Sequence, residues 1–199
     1  MEAFLISTGI VALAEMGDKT QLLSLVLAAK FRKPLPIILG ILVATLLNHA
    51  LAGAVGTWLT SVLGPNALRW ILGLGFLAMA VWMLIPDKLD EEDANVKASR
   101  FGVFATTLIA FFFAEMGDKT QVATVALAAK YQALIPVVAG TTLGMMIANV
   151  PAVFVGKQIA QKMPVKLVHS IAAAIFAVLG VVTLVGTLKP EWFDFLAFN

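Results

Sequence analysis

Glu15, Asp18 and Lys19 stand together in a stretch of the chain that is otherwise apolar, followed at once by Thr20 and Gln21. The same order returns at Glu115, Asp118, Lys119, Thr120 and Gln121. Paired carboxylates flanked by hydroxyls and amides are oxygen ligands, and the chain has no cysteine to add sulfur. Such a donor set suits a hard divalent cation, Mg²⁺, Ca²⁺ or Mn²⁺, and not a soft metal. The missing cysteine also excludes disulfides, zinc–thiolate sites, iron–sulfur clusters and thiol catalysis. With two histidines, a His-rich hydrolytic metal site is disfavoured, and the residues point away from an enzyme.

What surrounds these residues decides what they do. Of the 199 residues 60% are hydrophobic and 13% charged, with a mean hydropathy of +0.94. A water-soluble domain carries about 25% charged residues, so the chain is expected in a membrane. Net charge is +2 and the basic residues are scattered, which gives nucleic acid nothing to bind. A crossing helix needs about 20 apolar residues, and six runs qualify: 3–29, 34–59, 67–86, 101–129, 133–156 and 167–188. The expected fold is an all-α integral membrane protein.

The run over residues 3–14 ends in Ala12-Leu13-Ala14, which imitates a signal-peptidase site, but Glu2 replaces the basic start that a signal peptide carries. Uncleaved, the twelve apolar residues before Glu15 and the eight after Gln21 reach about 18 and 12 Å, so neither crosses alone. The charged stretch therefore lies inside the bilayer, with Lys19 too deep to snorkel out. Charges at that depth cost several kcal/mol each unless paired or facing water. On an unbroken helix Glu15, Asp18 and Lys19 would share one face; loosening at Gly17 would instead free backbone carbonyls for the site.

The repeat extends beyond the motif. Residues 14–30 and 114–130 agree at 12 of 17 positions, and Pro36, Gly40, Gly56 and Phe76 recur at Pro136, Gly140, Gly156 and Phe176. Three crossings per repeat is an odd number, so the second half enters the membrane upside down. Inverted repeats are the architecture of secondary transporters, whose sites lie near the midplane where the halves meet. The halves are expected at 1–86 and 101–199, joined by a linker at 87–100. A two-fold would gather Glu15, Asp18, Glu115 and Asp118 with Lys19 and Lys119, and with the amides of Gln21 and Gln121, in one cage. Asn48, His49 and Asn149 in the second and fifth runs are further candidates, more often hydrogen-bond partners between helices than ligands. His169, near a segment end, reads as interfacial.

Counting Lys and Arg by loop puts nine on one side and three on the other, so both termini are expected outside the cytoplasm. The linker carries Asp87, Asp90, Glu91, Glu92 and Asp93; it reads as solvated, with a regulatory cation sensor as the sharper alternative. The tail, with Trp192, Phe193, Phe195 and Phe198, reads as an interfacial anchor.

Two copies of Glu-x-Gly-Asp-(Lys/Arg)-(Thr/Ser) are the signature of the Gdt-type divalent cation/proton exchangers, and this chain resembles that family over nearly its full length. Glu15-Met16-Gly17-Asp18-Lys19-Thr20 and Glu115-Met116-Gly117-Asp118-Lys119-Thr120 both fit without departure. The resemblance is strongest to the short bacterial members that export manganese. It implies export of Mn²⁺, and of Ca²⁺ as a second cargo, against protons across a bacterial inner membrane, with Glu15, Asp18, Glu115 and Asp118 as cation ligands and no permanently bound cofactor. The residues alone leave open a passive cation channel and an exporter of small organic cations.

Overall fold

The computed structural model describes residues 1–85, 102–155 and 165–188, the side chain of Val155 excepted. The acidic linker, Lys157, Lys162 and the aromatic tail lie outside the described residues, so the expectations placed on them are not addressed. Every described element is helical: α1 (Glu2–Glu15), α2 (Lys19–Phe31), α3 (Pro34–Val62), α4 (Pro65–Met83), α5 (Gly102–Ala114), α6 (Lys119–Tyr131), α7 (Leu134–Val155) and α8 (Val165–Leu188). Four of them, α3, α4, α7 and α8, are long and apolar enough to cross a membrane alone.

The first and fourth apolar runs are each two half-length helices, broken at the charged motif. Gly17 and Gly117 sit at φ +84° and +77°, a left-handed backbone that glycine adopts without the Cβ clash other residues suffer. The expectation that Glu15, Asp18 and Lys19 share the face of one continuous helix is thus corrected: the i, i+4 register ends at Glu15. The other boundaries follow ordinary local rules. Pro34 and Pro65 open α3 and α4, where a missing N–H is harmless. Arg32 and Gln132 close α2 and α6 in the left-handed region, each donating its N–H to an alanine carbonyl four residues back.

Positions 100 apart make matching contacts with the opposite half. A Cβ on Gly40 would meet Thr107 and the Phe104 carbonyl; one on Gly140 would meet Ser7 and the Phe4 carbonyl. Thus α3 packs on α5 as α7 packs on α1, glycines allowing the backbones to touch. Phe76 and its repeat mate Phe176 stack on each other, centroids 6.1 Å apart, where α4 runs along α8. Two apolar cores result. One joins α1, α4, α6 and α8 around Ile10, Phe76, Leu127 and Phe176. The other joins α2, α3 and α5 around Leu23, Leu27, Ile41 and Phe111.

Candidate metal centre

Breaking two helices at the same motif brings four helix ends to one place. Glu15 closes α1 and Asp18 caps α2; Glu115 follows α5 and Asp118 caps α6. The turns are tight, with the Asp18 N–H donating to the Glu15 carbonyl and the Asp118 N–H to the Glu115 carbonyl, both at 3.1 Å. Each turn is held by the glutamine three residues after the aspartate. Gln21 accepts the Gly17 N–H at 3.0 Å and Gln121 the Gly117 N–H at 2.7 Å, a reach-back akin to a capping box. The amide oxygens of Gln21 and Gln121 thus each accept one backbone N–H of the motif turn. The Gln21 amide nitrogen donates to the Ala148 carbonyl of α7 at 2.9 Å.

All four motif carboxylates are buried, Glu15 and Glu115 completely. One oxygen each from Glu15, Glu115 and Asp118 lies within 4.8 Å of the other two. Asp18 is buried at the head of α2, outside this trio. Thr20 donates to Glu15 Oε2 at 2.6 Å and Thr120 to Glu115 Oε2 at 3.2 Å, which orients both carboxylates within their own repeats. Lys19 crosses to the other repeat and pairs with Asp118 Oδ1 at 3.3 Å. That leaves Glu15 Oε1, Glu115 Oε1 and Asp118 Oδ2 buried with no hydrogen-bond partner among the described residues. Buried carboxylate oxygens without a donor are costly, and carboxylates this close together are the kind of oxygen donor set that a divalent cation takes.

The two motif lysines are used differently. Whereas Lys19 meets Asp118, Lys119 is almost wholly buried and donates to the Ile85 carbonyl at the end of α4, 2.9 Å away. Among the further candidates, Asn149 accepts from Ser24 at 2.8 Å and donates to the Met145 carbonyl at 3.1 Å, a bond between helices. Asn48 donates to the Phe112 carbonyl at 3.0 Å, one of the carbonyls left over at the end of α5. His49 is fully buried, and among the described residues neither ring nitrogen has a partner. His169, in the first turns of α8, is buried, and its Nε2 lies 2.9 Å from the Met16 carbonyl. A carbonyl only accepts, so Nε2 donates. The missed signal was the repeat itself, which pairs His169 with Arg69, another side chain able to donate to a carbonyl.

Comparison with known proteins meets this geometry at both copies of the motif. The family model "Divalent cation/proton antiporter GDT1" matches residues 3–91 and again 103–191. The chain belongs to the GDT1 family. A Vibrio cholerae protein named "Putative manganese exporter" is 52% identical over 92% of this chain and 90% of its own length. A GDT1-like protein of Synechocystis is 31% identical over 92% of the chain and 97% of its own length. A chloroplast member from Arabidopsis thaliana, named as a PAM71 homologue, is 28% identical over 92% of the chain and 59% of its own. No solved structure matches. As a GDT1 protein with four such helices, the chain is a multi-pass membrane protein, and its family's activity is transport, not catalysis.

Proposed function

We propose that this GDT1 protein exports Mn²⁺ from the cytoplasm in exchange for protons, with Ca²⁺ as a secondary cargo. Glu15, Glu115 and Asp118 form the cation site and Asp18 completes its charge. One observation carries the reading: three buried carboxylates from both repeats converge, each with an oxygen that none of the described residues satisfies. The name of the Vibrio cholerae relative supports manganese, and the family description supports proton coupling. The six apolar runs then make six crossings in two inverted repeats, α1–α2 and α5–α6 each counting as one broken crossing, with both termini outside the cytoplasm of a bacterial inner membrane.

Charge accounts for the exchange. Four ionised carboxylates and two ammoniums leave two net negative charges, which one divalent cation neutralises. Without the cation those charges are unfavourable in hydrocarbon, and two protons arriving from the outer side neutralise them equally well. Metal and protons compete for the same oxygens, so the site holds one or the other, and the empty, unprotonated site does not reorient. The interacting carboxyls take up protons as a set. Lys19 keeps Asp118 anchored while the trio changes partners.

Everted membrane vesicles, which acidify when energised, test the scheme. Mn²⁺ should enter against its gradient, and a protonophore should abolish the accumulation. Uptake that is linear in Mn²⁺ and indifferent to the collapse of ΔpH and membrane potential would replace the exchanger with a channel. Flux of small organic cations with no response to Mn²⁺ would replace the cargo.

A further inference from the structure

The exchange relation between the halves holds for α1–α3 against α5–α7 and fails at α4 and α8. Together α4 and α8 pack on α1 and α6, whereas α2 and α5, the repeat mates of α6 and α1, make no comparable contact with them among the described residues. On the occupied surface Ala129 is buried and Leu13 packs against the core, whereas their repeat mates Ala29 and Phe113 are exposed, Phe113 by 65%. The motif turns differ accordingly. At the first, His169 donates to the Met16 carbonyl, and a Cβ on Gly17 would lie 2.5 Å from Val165. At the second, Met116 is 52% exposed, and among the described residues nothing lies within 4 Å of a Cβ built on Gly117. The mate of His169, Arg69, instead lines a cavity of about 630 Å³ with Thr60, Leu68, Lys130 and Thr183, at the ends of α3, α6 and α8.

We propose that α4 and α8 move as one body between two equivalent docking surfaces, α1–α6 and α2–α5, and that Arg69 is the positioning residue of the second state, donating to the Met116 carbonyl as His169 now donates to that of Met16. The proposal rests on the reading of the chain as an inverted-repeat exchanger. The motif is shared by both states, and the α4–α8 pair covers one turn of it at a time. The pair is internally tight, with Phe76 stacked on Phe176 and Gly73 in contact with Leu184 and the Gly180 carbonyl. Its bed on α6 includes Ala123, Ala126 and Leu127. The alternative bed is the repeat mate of this one, as an inverted-repeat carrier requires. The link from α3 to α4 is only Leu63 and Gly64, so the end of α3 must yield. Thr57, Thr60 and Ser61 there bond back to their own helix carbonyls, a pattern that weakens and bends helices.

The native chain has no cysteine, so the test is clean. Met16→Cys with His169→Cys, Met116→Cys with Arg69→Cys, and all four together are placed in proteoliposomes and treated with a short thiol crosslinker. Each pair should crosslink. In the fourfold variant a molecule should carry one crosslink or the other, never both, and either should stop Mn²⁺ flux until reduced. Crosslinking of Met16–His169 without any Met116–Arg69 product would overturn the proposal, as would both crosslinks in one molecule or undiminished flux through crosslinked protein. Reciprocal crosslinking in protein that moves no Mn²⁺ would uphold the moving pair and remove the cargo assignment instead. A second measurement spares Arg69 the cysteine. Outside labelling of Met116→Cys should accelerate severalfold with Arg69→Ala and return to its original rate with Arg69→Lys. A rate unmoved by Arg69→Ala would also overturn it.

Discussion

Glu15 and Glu115 each spend one oxygen on a threonine of their own repeat, and the other has no hydrogen-bond partner among the described residues. That division separates orientation from binding. Glu15→Gln, Glu115→Gln or Asp118→Asn keeps the shape but removes a charge from a site that needs its full negative complement to offset a divalent cation. Each should lower pH-gradient-driven Mn²⁺ flux by about tenfold or more, read in everted vesicles, with the protein still made and inserted. Thr20→Val removes only an orienting hydrogen bond, about 1.5–3 kcal/mol to a charged acceptor, and should raise the Mn²⁺ concentration for half-maximal flux more than it lowers the maximum. His49 is a buried imidazole with two unsatisfied nitrogens. Were it a nitrogen ligand, His49→Ala would weaken Mn²⁺ more than Ca²⁺, since nitrogen suits manganese better than calcium. Equal effects in a competition assay would leave it outside the coordination sphere.

At the scale of elements, the two broken helices need glycine for different combinations of reasons. Both glycines hold a left-handed φ, which costs another residue about 1–2 kcal/mol. Gly17 is in addition pressed by Val165, while no described residue lies within 4 Å of a Cβ on Gly117. Gly17→Ala should therefore destabilise more than Gly117→Ala, measured as the midpoint of thermal unfolding in detergent; equal shifts would mean that the α8 contact carries no weight. The glycines of α3 and α7 make a second case. A Cβ on Gly56 would collide with the Val125 carbonyl, and one on Gly140 would come within 2.5 Å of the Phe4 carbonyl. Backbone atoms cannot swing aside as side-chain ends do, so alanine at either site forces helices apart that now touch through small residues.

For the whole molecule, the proposed inverted repeats and the distribution of lysine and arginine predict a topology with residues 30–33, 87–100 and 157–166 in the cytoplasm. Ser99→Cys in intact cells should resist an impermeant thiol reagent and react once the membrane is opened. Ser61→Cys, at the exposed far end of α3, should react from outside without permeabilisation. The reverse pattern would invert the protein and, with it, the direction of export.

The composition already required a membrane, because so few charges cannot solvate a chain this apolar. Repetition of Glu-Met-Gly-Asp-Lys-Thr-Gln at an offset of 100 already marked the charged residues as one site built twice, since charge inside an apolar run survives only where it has partners or water. Both were legible because they depend on residue type and spacing along the chain. The break of each helix was half legible: Gly17 and Gly117 stood as weak points, but a glycine alone does not end a helix, and the ending needed Gln21 and Gln121 to take up the freed N–H groups. Which oxygens remain unsatisfied was not legible, because Lys19 turning to Asp118 and the threonines turning to their own glutamates are choices among several partners in reach. Nor was the unequal fate of the repeats. Two copies of similar sequence have similar local preferences; it is the packing of α8 beside the first turn that leaves Met16 half-buried while Met116 is exposed.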